Sequence, residues 1–244
     1  MQVVILAGGL ATRMRPRTLT MPKFLLPVAG RPFGDWLLER IASHGFHQVL
    51  LCIGYLGDDI RSVVGDGRRF GLDVDYAEDG PTLLGTGGAL RRALPRLANT
   101  FLVTYGDSYL PFDYAEPLRI LERHADADGV MAVFRNEGKW DTSNTILRID
   151  QAGDPWVARY QKTQRGDPEA ELFDYIDYGA TALRRETIAR IPENTPWGLD
   201  RVQAELSQSG RLRACVARAR FFEIGSEEGL AELERDLSKR GASP

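Results

Sequence analysis

Through the first half of this chain, short apolar runs suited to buried strands take turns with segments whose apolar residues recur at helical spacing. The runs are Gln2–Leu6, Val49–Ile53, Val74–Tyr76, Phe101–Thr104 and Val130–Phe134. Between them, Phe33, Leu37, Leu38 and Ile41 share one helical face, and further helices are predicted over Asp58–Val64, Gly88–Leu94 and Tyr114–His124. Strand–helix alternation of this kind predicts an α/β fold, with a mostly parallel sheet covered by helices on both faces. The second half is less regular. Thr145–Ile149, Tyr175–Leu183 and Arg213–Val216 read as strands, and Glu227–Lys239 as a last helix with Leu230, Leu233 and Leu237 on one stripe. Residues 135–144 and 161–174 are polar and read as loops or insertions. No repeat, low-complexity segment or linker interrupts the chain, so one domain is predicted over 1–240, with a tail at 241–244.

Composition narrows the function. The formal net charge is -3, so no global basic field draws the chain to nucleic acid, and any phosphate site must be a local cluster of Arg and Lys. Cys52 and Cys215 both sit near apolar residues and read as core residues of a reducing compartment, not as a disulfide or metal pair. Val3–Leu6 is too short for a signal peptide, and no stretch approaches the roughly 20 apolar residues of a membrane span. A cytoplasmic protein without a membrane partner is expected; a homo-oligomer is compatible with all of this.

One such cluster follows the first strand. Ala7-Gly8-Gly9 leads into Thr12, Arg13, Arg15, Arg17 and Lys23. Small residues at the carboxyl end of a strand let backbone N–H groups approach a ligand closely, which is what a phosphate cradle requires. It is also where open α/β sheets bind ligands. A solvated basic loop remains the plain alternative. A dinucleotide-binding turn is disfavoured, since Gly-x-Gly-x-x-Gly is absent and Pro16 and Pro22 interrupt the loop; the P-loop pattern is absent too.

The whole segment, Gly8-Gly9-x-x-Thr12-Arg13-x-Arg15-Pro16-x-Thr18-x-x-x-Pro22-Lys23-x-Leu25-Leu26-Pro27-Val28-x-Gly30, resembles the signature of the sugar-1-phosphate nucleotidyltransferase family. The resemblance implies a Rossmann-like three-layer sandwich with a mixed, mostly parallel central sheet, of the nucleotide-diphospho-sugar transferase type. It further implies that Ala7, Gly8, Gly9 and Thr12 contact the nucleotide. Arg13 would grip the triphosphate and Lys23 would neutralise its oxygens. Leu84-Gly85-Thr86-Gly87-Gly88-Ala89 resembles the family's second nucleotide loop, giving Gly85, Thr86, Gly87 and Gly88 as contacts; a tight strand-to-helix turn explains the same glycines. Asp107, in Tyr105-Gly106-Asp107, matches the expected Mg²⁺ ligand. Glu223-Ile224-Gly225 resembles the family's Asp-Ile-Gly, so Glu223 is the second expected ligand. Its extra methylene moves the oxygens by about 1.5 Å unless the backbone compensates. Lys162 matches the lysine that meets the sugar phosphate, while Gln161 stands where relatives carry an acid. Asn144, Asp177 and Gly179 fall where sugar contacts are expected, as does Ser143.

The implied reaction is in-line attack of a sugar 1-phosphate oxygen on the α-phosphorus of a nucleoside triphosphate. The nucleophile is largely ionised at neutral pH, so no general base is needed, and His44, His47 and His124 fall in no recognisable motif. Two unit charges 4 Å apart repel by about 1 kcal/mol in water and about 4 kcal/mol at an effective dielectric near 20, so countercharge must dominate the site. Loop 85–89 and Trp140-Asp141-x-Ser143-Asn144 look most like heptose-phosphate guanylyltransferases, which makes GTP with a heptose or mannose phosphate the first expectation. Uridylyl or thymidylyl transfer to a muramyl or glucose phosphate is the alternative. A silent nucleotide-binding regulatory subunit is the competing class.

Overall fold

β-branched and leucine-rich runs build the centre of the molecule because their side chains pack on both faces of a pleated surface. The computed structural model describes residues 1–80, 82–162 and 168–239. The predicted tail at 241–244, and positions 163–167 of the predicted loop, lie outside the described residues. In chain order come β1 (Gln2–Leu6), β2 (Pro27–Val28), β3 (Arg31–Pro32), α1 (Phe33–Ser43), β4 (Gln48–Ile53), α2 (Gly57–Val64) and β5 (Asp73–Glu78). There follow α3 (Gly85–Arg92), β6 (Thr100–Tyr105), β7 (Ser108–Tyr109), α4 (Glu116–Arg123), β8 (Gly129–Arg135), β9 (Thr145–Ile149) and β10 (Pro155–Tyr160). The chain continues through β11 (Tyr175–Arg184), α5 (Arg185–Ala189), α6 (Leu199–Gln208), β12 (Leu212–Ala217), β13 (Phe222–Glu223) and α7 (Glu227–Lys239).

The main sheet has the order β5-β4-β1-β6-β11-β8-β12-β10-β9. Its first four strands are parallel; β11 and β10 run against the rest, so the sheet is mixed and mostly parallel, as anticipated. Alternation along β1 shows why both faces need helices. Val3 and Ile5 join one apolar cluster with Trp36, Ile60, Leu118 and Leu233, while Val4 joins another with Leu90, Val202 and Leu206. Burying both faces is worth about 25 cal/mol for each Å² of apolar surface withdrawn from water, which makes this layering the main source of stability.

The early strands and the last helix lie where their patterns put them. Two boundaries moved. α3 starts at Gly85, so the glycine run forms its first turn instead of preceding it, and α4 is shorter than the predicted Tyr114–His124. His124 is the C-cap of α4, and its carbonyl accepts from Arg184 Nη2 at 3.3 Å. β10 and α6 carried no clear prediction; β10 mixes Pro155, Trp156 and Arg159 and has a register shift against β9, which blurs its alternation. Cys52 and Cys215 are both buried free thiols, and burial pushes the Cys215 thiol up to about 12. No helix among the described residues is long and apolar enough to cross a membrane.

Candidate active site

The strand order turns at β1: the chain adds β4 and β5 on one side, then crosses to add β6 on the other. Connections leaving in opposite directions open a crevice beyond the carboxyl ends of these strands. A cavity of ≈ 260 Å³ lies there, walled by Leu6, Ala7, Gly8 and Gly9 after β1, Cys52 of β4, Asp79 after β5, and Tyr105, Gly106 and Asp107 at the end of β6. Ala7 N–H donates to the Cys52 carbonyl at 2.8 Å and Gly106 N–H to the Leu6 carbonyl at 2.9 Å, so the crevice walls are stitched together.

Beyond Gly9 the chain doubles back in short 3₁₀ turns over Thr12–Met14, Arg17–Leu19 and Lys23–Leu25. The buried Thr18 hydroxyl donates to the Ala11 carbonyl at 2.8 Å, and Met14 and Phe24 anchor the loop in the core. With Met14 and Phe24 thus held, the loop presents Arg13, Arg15 and Arg17 outward, although Leu10, Leu19 and Met21 are exposed as well. Lys23 lines the cavity, and its Nζ lies 2.7 Å from Asp107 Oδ2, with side-chain exposures of 15% and 29%. A Cβ on Gly225 would stand 3.3 Å from Arg13 Nη2 and 3.8 Å from Lys23 Nζ, so both cations converge on the turn after β13. Arg15 stays exposed, and Arg17 is drawn to Glu227 at 3.2 Å. Thr12 is exposed at the start of the first turn and does not line the cavity.

β13 is placed by β7, with Glu223 opposite Ser108 and Ile224 N–H donating to the Asp107 carbonyl at 3.0 Å. This ladder brings two segments more than a hundred residues apart into one carboxylate pair. The Glu223 carboxyl is pushed up to about 7, first by burial, then by the Asp107 and Asp141 charges, against the pull of Arg13 and Lys23. The crowding of negative charge that pushes Glu223 up is what a divalent cation relieves. Mg²⁺ takes one or two carboxylates and fills its remaining positions with water and substrate phosphate, so the pair fits it. Among the described residues, no group of three or more His, Cys, Asp or Glu is arranged to hold a metal ion.

The second loop divides. Gly85 and Thr86 line the cavity, whereas Gly87 and Gly88 donate their N–H groups to the Trp197 carbonyl at 2.8 and 3.0 Å. The Thr86 hydroxyl accepts from Leu199 N–H at 2.8 Å. These bonds dock α3 on the start of α6, leaving Gly87 and Gly88 directed away from the cavity.

The residues expected to meet the sugar gather at one end of β9, β10 and β11. Asn144 ties them: its N–H donates to the Tyr175 carbonyl at 2.9 Å, its carbonyl accepts from Gln161 N–H at 3.0 Å, and its Oδ1 accepts from Asp177 N–H at 2.9 Å. Its side chain therefore serves the scaffold. Gln161 Oε1 accepts from Arg159 at 2.7 Å. Lys162 is exposed, and its Nζ lies 4.0 Å from Asp200 Oδ2. Burial pushes the Asp177 carboxyl up to about 6, although it accepts from Gly179 N–H and from Gln203 Nε2 at 3.0 Å. Gly179 packs against Tyr105, whose hydroxyl burial and the Asp177 charge hold well above the usual range. The histidines lie apart from the cavity; His44 contacts Asp113 and His124 approaches Asp154.

Sequence reading missed Asp79 and Gln203, and gave Gly225 no role beyond its place in the Glu223-Ile224-Gly225 motif. Asp79 follows a strand end just as Asp107 does, which was an available signal. Gln203 sits mid-helix in no motif, and only the fold turns it inward.

Comparison with known proteins places the chain in a family. A family model described as MobA-like NTP transferase domain matches residues 3–220. The chain is 31% identical to a mannose-1-phosphate guanylyltransferase of Mycobacterium tuberculosis, over 99% of this chain and 65% of that protein. It is 33% identical to a UTP–glucose-1-phosphate uridylyltransferase of Synechocystis, over 82% of this chain and 53% of the relative. The chain thus spans only about half to two-thirds of these curated relatives. Among solved structures, HddC from Yersinia pseudotuberculosis complexed with GMP-PN superposes with a TM-score of 0.74 at 26% identity, covering 97% of this chain and 99% of that one.

Proposed function

Because this chain belongs to the MobA-like NTP transferase domain family, we propose that it transfers a nucleoside monophosphate from a nucleoside triphosphate to a sugar 1-phosphate, releasing pyrophosphate. The observation that carries the reading is the meeting of Arg13, Lys23, Asp107 and Glu223 at one turn beside the strand-end cavity. Residues 1–240 are taken as the nucleotidyltransferase unit.

Two polyanions must approach within bonding distance, and the barrier is electrostatic repulsion. Arg13 and Lys23 neutralise the triphosphate oxygens, and Arg13 follows charge as it builds at the α-phosphate. Gly8 and Gly9 leave the backbone free to approach the nucleotide. Lys23 is held by Asp107 until phosphate competes for it. Asp107 and Glu223 are the residues to hold Mg²⁺, which supplies charge neutralisation and alignment of phosphate oxygens when bound. Lys162 and Asp177 serve the sugar phosphate, with Asn144 and Gly179 shaping that side. Positioning and countercharge supply the rate, without a general base.

GTP with a mannose or heptose phosphate is the preferred pairing. The likeness to a mannose-1-phosphate guanylyltransferase over nearly the whole chain, and to a structure holding GMP-PN, supports the guanylyl reading. The similar uridylyltransferase keeps UTP with a glucose phosphate as the second reading. The test is pyrophosphate release across a panel of triphosphates and sugar phosphates with Mg²⁺, repeated with Arg13→Ala and Asp107→Ala. Each variant should lose roughly 10² or more in turnover, by analogy with removal of one transition-state donor. Nucleotide binding without release under any pairing would favour a silent regulatory subunit instead.

A further inference from the structure

Glu223 sits on a strand with a short ladder. β13 has two residues and pairs with the equally short β7, apart from the main sheet. A glutamate also has one more rotatable bond than an aspartate, so its carboxylate needs more fixing. The backbone leading to it is tied down by Tyr178. The Tyr178 hydroxyl donates to the Ala219 carbonyl at 2.9 Å, and its ring meets Phe221 edge-on at 5.9 Å.

Arg220 adds a second fastening. Its guanidinium lies 3.7 Å from the centroid of the Trp140 ring and 4.6 Å from that of Phe222, so it rests on both. Its rim is used at the same time: Nη2 donates to Glu232 Oε2 of α7 at 2.6 Å, and Nε to the Phe221 carbonyl at 3.2 Å. A planar guanidinium can stack with its face while donating from its edge, which an ammonium cannot.

Trp140 lies outside both apolar clusters, is 47% exposed and stands on the irregular segment between β8 and β9. That segment is wound around the fully buried Asn136. Asn136 Oδ1 accepts from Trp140 N–H at 3.2 Å, and Nδ2 donates to the Asp141 carbonyl at 2.5 Å and the Ser143 hydroxyl at 3.1 Å. Asn136 thus shapes the loop from within, and the Trp140–Arg220 contact joins it to Phe222, the neighbour of Glu223. Asp141 follows Trp140, and its negative charge is felt at Glu223.

We propose that Arg220 is a positioning residue for the divalent cation: resting on Trp140 and Phe222, it locks the 136–143 loop to β13 and so fixes the Glu223 carboxylate beside Asp107. Its ion pair with Glu232 makes α7 part of the same brace. The inference rests on Asp107 and Glu223 as the metal pair and adds the side chain that keeps them set. Without the brace, the metal itself would have to order Glu223, and that ordering shows as weaker binding.

Mn²⁺ takes the same oxygen ligands as Mg²⁺, and the EPR signal of free Mn²⁺ measures its uptake without nucleotide or turnover. Arg220→Ala should bind Mn²⁺ about 10-fold more weakly than wild type, the lower end for loss of a side chain that orients a ligand. Arg220→Lys keeps the charge but not the stack, and should lose nearly as much. Trp140→Ala should also weaken binding, whereas Trp140→Phe, which restores an aromatic face, should stay within about threefold of wild type. Wild-type affinity in Arg220→Ala, even with a lowered Tm, would show that Arg220 serves stability alone and would overturn the proposal. Wild-type affinity in Arg220→Lys would overturn the stacking argument. Should Arg220→Ala fail to fold, unaltered affinity in Trp140→Ala, a change at a half-exposed side chain, would overturn it equally. If wild type takes up no Mn²⁺, or Asp107→Ala takes it up as well as wild type, the metal pair falls and the brace with it. If Asp107→Ala loses binding while Arg220→Ala does not, the brace alone falls.

Discussion

Replacing Asp79 with Asn should make the ligand-free protein more stable at pH 7.5 and leave it unchanged near pH 4. The folded carboxyl titrates at about 6 against an ordinary value of 3.8, because burial opposes its charge. Between these values the folded state holds a proton that the unfolded chain has released. Stability therefore falls as pH rises through this window, and the deficit is complete above the folded value. A difference of about 2 in pKa corresponds to about 3 kcal/mol at most. Asp79 is only partly shielded from water, so solvent screening reduces the expected effect to about 1–2 kcal/mol. Asn matches the protonated carboxyl in shape and never ionises, so it removes the deficit. Urea unfolding followed by tryptophan fluorescence at pH 4 and 7.5 reads both values, and Asp177 cancels because it titrates in both proteins. For a domain of this size the gain corresponds to about 2–8 °C in Tm. A variant less stable than wild type at pH 7.5, or a gap equal at both pH values, would refute the reasoning. The first result would mean that Asp79 has a stabilising partner within the fold; the second, that its charge is not what destabilises it.

Lys23→Ala removes the 2.7 Å partner of Asp107 and should lower turnover about 10²-fold; pyrophosphate release within threefold of wild type would show that Lys23 is not in the machinery. Gly85→Ala places a Cβ 2.8 Å from the Trp197 carbonyl oxygen at a residue with φ of 72°, and should cost about 1–3 kcal/mol in urea unfolding. A loss below about 0.5 kcal/mol would mean the α3–α6 junction relaxes freely. Gln203→Leu strips a donor from both Asp177 and Thr181, each at 3.0 Å, and should destabilise by about 1–3 kcal/mol. The buried Gln203 Oε1 has no partner among the described residues, so its removal returns part of that loss; a variant as stable as wild type would show that water replaces the donor.

Much of the site was readable as local chemistry. The Gly8–Gly9 turn and the cations up to Lys23 lie in one continuous segment, and their spacing survives without knowledge of the fold. The fold then sorts them: Lys23 enters the cavity and Arg13 converges on Gly225, while Arg17 goes to Glu227. The glycines of 85–88 divide for the same reason, since Trp197, distant in sequence, takes the N–H groups of Gly87 and Gly88. β10 escaped sequence reading because its side-chain pattern does not alternate cleanly, and α6 because its inward Gln203 breaks the apolar stripe.

What the amino-acid order determined alone is the periodicity of its elements, and hence the layered α/β arrangement, together with the composition of the cationic loop. Those depend on residues a few positions apart, where backbone geometry leaves little choice. The motif resemblance pairs Asp107 with Glu223, but only the tertiary structure supplies the means, because strand register brings Glu223 beside Asp107, and it alone suspends Asp79 over Gly8. Burial and neighbouring charge, which shift the affinities of these groups for protons and donors, arise only when such distant segments meet.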